Sequence, residues 1–137
     1  MVNKTVIVSL SDEKYFKLLL ELIASINNFD QSKEVDICIL DAGMSDDQIK
    51  ILQQKVKQIK KAEWDINVPS YKVGKKEWLK SQVSRAFLPN YFPDYENYIW
   101  IDSDAWVNDW HAIDLLIKGC RMKELAITQT IAPGYRD

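Results

Sequence analysis

The chain reads as an α/β fold on a mainly parallel sheet with strand order 3-2-1-4, and three features of the sequence predict it. Short β-branched or apolar runs alternate with stretches of helical period from end to end. The first two runs, residues 5–10 and 35–40, are apolar almost throughout, as expected of strands buried on both faces. Right-handed crossovers then lay the first three strands out as 3-2-1 and add the fourth on the other side of strand 1. Residues 1–137 are expected to form one domain, long enough for a real core.

The elements follow in order. After the first strand, Ser11 or Asp12 is placed to cap a helix whose apolar positions Tyr15, Leu18, Leu19, Leu22, Ile23 and Ile26 keep the 3.6-residue repeat, and Asn27 and Asn28 end it. The second strand leads into the turn Asp41-Ala42-Gly43. Ser45 and Gln48 make a capping box for a helix with the inner stripe Ile49, Leu52, Val56 and Ile59, and Lys57, Lys60 and Lys61 suit its C-terminal dipole. Residues 62–68 alternate apolar with polar and predict a third strand near a sheet edge, stopped by Pro69. A basic loop around Gly74 precedes a helix from Glu77 to about Leu88, buried through Leu79, Val83, Ala86 and Phe87 and ended by Pro89, with Arg85 on another face. The fourth strand begins near Tyr98. A short helix over 111–118, Gly119 and a last strand over about 125–128 complete the pattern.

Composition narrows the function classes. The chain is 47% hydrophobic and 28% charged with a formal net charge of −2, which gives no electrostatic reason for nucleic-acid binding. Cys38 and Cys120 have no framework spacing and sit in apolar elements, so buried free thiols and a cytoplasmic, reducing compartment are expected. No run reaches the length of a signal-peptide core or a membrane span, which leaves room for peripheral membrane contact only.

The site is expected where the winding reverses, between strands 1 and 4, because open α/β sheets bind ligands outside the strand C-termini at that crevice. Those strands end at Ser11-Asp12 and Asp102-Ser103-Asp104. Alternation along an extended chain sends Asp102 and Asp104 to the same side, and two such carboxylates repel unless a cation lies between them. Mg2+ or Mn2+ suits the pair, since hard cations accept few carboxylates and fill their remaining positions with phosphate oxygens. There is no Gly-x-Gly-x-x-Gly and no Walker loop.

Residues 84–89, Ser-Arg-Ala-Phe-Leu-Pro, followed by Tyr98-Ile-Trp-Ile-Asp102-Ser-Asp104-Ala-Trp-Val107, resemble the central block of family 8 glycosyltransferases, retaining enzymes of the Rossmann-like GT-A fold in which an arginine-bearing helix precedes a Tyr-Leu-Asp-x-Asp strand. Val6-Ile-Val-Ser-Leu10-Ser11-Asp12 through Tyr15, and Leu40-Asp-Ala-Gly-Met-Ser45, are similar to that family's first two strand-loop units. The resemblance implies manganese, or magnesium, on Asp102 and Asp104, bridging the diphosphate of a UDP-sugar donor. It also implies uridine held by Asp12 and Tyr15 beside Leu10 and Ser11, Arg85 at the sugar or diphosphate, and Ser103 near the ribose. The reaction implied is hexose transfer to a saccharide, lipid or protein acceptor. The family's downstream histidine ligand and acceptor half have no counterpart, because His111 follows the aspartates too closely. The chain therefore reads as the donor-binding portion, incomplete at its C-terminal end, and its uncovered apolar surface near strands 4 and 5 is expected to favour self-association.

Two other functions fit the residues. A haloacid-dehalogenase-like phosphatase also places Asp-x-Asp at a strand end, though Trp106 stands where that family has Thr or Val. A non-catalytic α/β interaction domain is the other. Plainer roles accompany each residue: Asp102 and Asp104 as turn caps, Arg85 as a solvated helix residue, Tyr15 as core, and Trp100, Trp106 and Trp110 as packing.

Overall fold

The computed structural model describes residues 4–127. Its sheet has four strands, all parallel, in the order β3-β2-β1-β4. Central β1 (Thr5–Ser11) pairs with β2 (Val35–Asp41) along its length and with β4 (Asn97–Trp100) over its first half, from Thr5 opposite Asn97 to Val8 opposite Trp100. Every residue of β1 is buried, which is why its sequence is apolar without alternation.

The two faces of the sheet are covered by different parts of the chain. Ile7, Ile37, Ile39 and Ile99 pack against α1 (Phe16–Asn27), α2 (Asp46–Gln53) and α6 (Trp110–Met122), with Trp110 also stacked obliquely on Phe29. Val6, Val8, Leu10, Cys38 and Leu40 pack on the other side against Leu88, Tyr91, Phe92 and Tyr95. Crossovers of one hand need this arrangement: winding outward from β1 through β2 to β3 puts α1 and α2 on one face, and the return to β4 puts its connection on the other. A crevice opens where the winding reverses, between the C-terminal ends of β1 and β4.

Several elements differ from the sequence expectation. Helix α1 begins at Phe16, with Tyr15 and Leu18 each 38% exposed and Phe16 turned into the core instead. The capping box is present, but α2 stops at Gln53, and Ile59 belongs to β3 (Gln58–Lys61). Leu52, Val56 and Ile59 keep helical spacing, yet the edge of β2 offers Gln58–Lys61 a ladder, and pairing overrides local preference. The expected strand over 62–68 is accordingly displaced upstream. Only Ala62 extends the ladder, donating to the Asp41 carbonyl at 2.8 Å.

The predicted helix over 77–88 is broken. A single turn, α3 (Ser70–Val73), and a 3-10 turn at Glu77–Leu79 lead into α4 (Lys80–Ser84), a second 3-10 turn at Arg85–Phe87 and α5 (Leu88–Tyr91). Pro89 lies in the first turn of α5, where a missing N–H costs nothing, so it starts a turn rather than ending one. The buried positions are Lys80, Ser84, Leu88 and Tyr91, while Ala86 is exposed and Leu79, Val83 and Phe87 are only half-buried. Lys80 tolerates burial because its ammonium pairs with Glu77 and lies 5.8 Å from the centre of the Trp64 ring. Helix α6 runs past Gly119, where any Cβ would meet that of Ala126 at 2.8 Å. Residues 125–127 form no strand, and Thr128 lies outside the described residues. Both cysteines are free, Cys38 buried and Cys120 half-buried.

Candidate functional site

The crevice is a cleft of about 460 Å³ walled by three segments. The end of β1 and the loop after it supply Leu10, Ser11, Asp12, Lys14 and Tyr15; the helical segment from Trp78 to Arg85 supplies Trp78, Ser81, Gln82 and Arg85; the end of β4 supplies Trp100, Asp102, Ser103 and Asp104. All eight residues singled out from the sequence therefore face one space. A hollow at the end of α6 is walled only by the consecutive residues 120–124 and receives nothing from the strand ends.

Backbone contacts fix each wall. The loops after β1 and β2 are tied by Ala42 N–H to the Ser11 carbonyl at 2.9 Å and Glu13 N–H to the Gly43 carbonyl at 3.2 Å. The Asp12 carboxylate accepts from Tyr15 N–H at 2.9 Å, so it caps the turn that precedes α1 rather than the helix itself. Ser11 is buried and donates its hydroxyl to the Asp12 carbonyl at 2.9 Å. On the β4 side Ile101 N–H donates to the Val8 carbonyl at 3.1 Å and Val107 N–H to Ser25 Oγ at 2.9 Å, so the chain between them is anchored at both ends.

That anchored chain alters the argument about the two aspartates. Strand geometry ends at Trp100, and residues 102–105 form a turn closed by Ala105 N–H on the Asp102 carbonyl at 3.0 Å. Strand alternation therefore does not aim Asp102 and Asp104; the turn brings both to the cleft, with Ser103 buried between them. Nor is the Asp102 side chain a turn cap. Its Oδ1 accepts from Arg85 Nη2 and from Trp100 Nε1, each at 2.8 Å, and the guanidinium carbon lies 5.0 Å from the centre of the Trp100 ring. Arg85 Nε also donates to the Ser81 carbonyl at 3.1 Å, which holds the side chain along its own segment. Arg85 is thus fixed on two sides, and among the described residues Asp102 Oδ2 has no hydrogen-bond partner.

Asp104 is exposed and has no hydrogen-bond or ion-pair partner among the described residues. Asp12 lines the same cleft but does not join the pair, since no group of three or more His, Cys, Asp or Glu side chains is close enough to hold a metal among the described residues. The donor set fits a hard divalent cation in one form: two carboxylates from the protein and the remaining positions from ligand oxygens and water. The charges favour that form. Three carboxylates (Asp12, Asp102, Asp104) face two cations (Lys14, Arg85), so the lining bears a net negative charge.

Sequence reasoning passed over Lys14 and, on the helical wall, three lining residues, Trp78, Ser81 and Gln82. The signal for those three was present: with Arg85 they fall at i, i+3, i+4 and i+7, one face of a helical segment. Trp100 was read as packing; it is half-buried and also donates to Asp102. Trp110 is packing and Trp106 is 65% exposed. His111 stands exposed at the start of α6, where its N–H is capped by Asp109 at 2.9 Å.

The family model for glycosyl transferase family 8 matches residues 6–115, well over half of the chain and every cleft residue. No curated protein matches it.

Proposed function

The chain belongs to glycosyl transferase family 8, and from that premise we propose that the cleft binds a UDP-hexose with a divalent cation, Mn2+ or Mg2+, for retaining transfer of the hexose to a saccharide, lipid or protein acceptor. Membership gives glycosyl transfer as the reaction class, with a nucleotide-sugar donor and an acceptor as partners. It also displaces the phosphatase alternative. One observation supports the donor reading most strongly: an arginine held on a carboxylate, a second carboxylate without a partner among the described residues and the end of the central strand share one cleft.

In this reading Asp102, through Oδ2, and Asp104 hold the cation, which when bound neutralises the diphosphate and assists departure of UDP as a Lewis acid. Arg85 stays on Asp102 Oδ1 and turns its remaining N–H groups to the diphosphate, where charge-assisted bonds are strongest. Asp12 and Tyr15, with Leu10 and Ser11 beneath, receive the uridine, and Ser103 lies at the ribose. No helix among the described residues is long and apolar enough to cross a membrane. Cytoplasmic residence, with contact at a membrane surface where the acceptor is a lipid, belongs to the same proposal.

Calorimetric titration with UDP in Mn2+, on the wild type and on the pair Asp102→Asn and Asp104→Asn, tests it. Affinity should fall steeply in the double variant. Binding that survives unchanged sinks the metal-diphosphate reading, and tight binding without turnover on any acceptor would mark the chain as a donor-binding module.

A further inference from the structure

The helical wall of the cleft offers more than Arg85. Trp78, Ser81, Gln82 and Arg85 form one stripe, and its charge is confined to one end. Arg85 is committed to Asp102, whereas the Ser81 hydroxyl, the Gln82 carboxamide and the Trp78 indole N–H have no partner among the described residues. Trp78 is 49% exposed, leaving a large apolar ring facing the cleft in water. The neutral part of the stripe begins at Gln82, roughly 5 Å along the segment from Arg85, and ends at Trp78, about two turns away, so its far end lies beyond a diphosphate held at Arg85.

A neutral stripe of one aromatic face, one hydroxyl and one carboxamide suits a pyranose ring. Such a ring presents a C–H face that packs on an indole and an edge of hydroxyls that pair with groups able both to donate and to accept. The β1 wall is unlike it, since Asp12 and Lys14 there are charged. We propose that Trp78, Ser81 and Gln82 form the hexose subsite, with the ring stacked on Trp78 and its hydroxyls read by Ser81 and Gln82. This rests on the donor reading above and adds which wall holds the sugar.

The test compares UDP with UDP-glucose and UDP-galactose, in Mn2+, by calorimetry on the full chain and its variants. Wild type should bind at least one UDP-hexose more tightly than UDP. Trp78→Ala should weaken that UDP-hexose about tenfold, the size of one aromatic contact, while UDP affinity stays within about twofold. Trp78→Phe should recover most of the loss, which separates stacking from damage to the fold. Ser81→Ala with Gln82→Ala should narrow the preference between the two epimers, because unpaired polar groups are what enforce such selectivity. Equal weakening of UDP and UDP-hexose by Trp78→Ala would assign the indole to the nucleoside and overturn the subsite, as would no weakening at all. Wild type that fails to bind UDP would instead bring down the donor reading on which the subsite depends.

Discussion

Replacing Arg85 by alanine separates two roles its geometry allows, a brace for the fold and a cation for the cleft. As a brace it contributes one ion pair at 2.8 Å, one bond to the Ser81 carbonyl and one contact with the Trp100 ring. The paired side chains are 38% and 55% exposed, so solvent screening holds the ion pair to about 0.5 kcal/mol. The ring contact adds about 0.5 kcal/mol at such a site. With the exposed Ser81 bond adding about 0.5 kcal/mol or more, Arg85→Ala should therefore cost about 1–2 kcal/mol, or a fall in melting temperature of about 3–7 °C for a chain of this size. As a cation facing a diphosphate it makes charge-assisted bonds worth about 1.5–3 kcal/mol, so UDP affinity in Mn2+ should fall roughly 10- to 150-fold. Urea denaturation and calorimetry on the same preparation supply both numbers. A stability loss of about 3 kcal/mol with UDP affinity intact would refute the reasoning, because Arg85 would then be a structural brace alone.

Three further outcomes concern the fold. Ser45→Ala removes the oxygen that accepts from Gln48 N–H at 3.4 Å and loosens the reciprocal bond from Ser45 N–H at 3.1 Å, and should cost about 1 kcal/mol, read as a lower urea midpoint with no change in slope. Lys80→Met should change stability by less than about 1 kcal/mol, whereas Glu77→Gln should cost about 1–2 kcal/mol by stranding a buried ammonium; equal effects in urea would contradict the pairing. Burial pushes the Cys38 thiol from its ordinary 9.0 up to about 11, and burial together with the bond to Asp36 raises Tyr95 further still. The unfolded chain ionises first, so stability should be complete below about pH 9 and fall as pH rises through about 11. Cys38→Ala should flatten the first part of that decline in urea unfolding followed against pH.

The elements legible in the sequence were those whose burial is uniform. Two central strands are covered on both faces and must be apolar throughout, and strand order follows from crossover handedness. What could not be read depended on partners distant in sequence. Ile59 fits a helix as well as a strand until the edge of β2 claims it, and nothing local indicates that Lys80 will be buried, since Trp64 lies sixteen residues earlier. Topology pointed to the strand-end acids, and the family resemblance added Tyr15, Arg85 and the role of Ser103, but the reason given for Asp102 and Asp104 was strand alternation, and the turn after Trp100 replaces it. The helical stripe was missed because a polar face on a broken helix looks like solvated surface until the cleft it lines is known.

Charge at the cleft would couple cation and nucleotide binding in the proposed reading. Three carboxylates against two cations leave the lining one charge negative, which opposes a diphosphate. In the proposed reading, one divalent cation on Asp102 and Asp104 would turn that into one charge positive, and Arg85, held on Oδ1 of Asp102, would add its charge toward the same anion. UDP should accordingly bind poorly without the cation, and the cation poorly without UDP. Linkage makes these two effects one quantity: the factor by which Mn2+ tightens UDP must equal the factor by which UDP tightens Mn2+. Titrating each in the absence and at saturation of the other measures it twice. Asp104→Asn offers the sharper comparison. It makes the lining neutral, so UDP affinity without cation should rise while the Mn2+ enhancement shrinks. If cation-free affinity is unchanged and the enhancement is intact, Asp104 is not a ligand, and the charge on this turn has some other purpose.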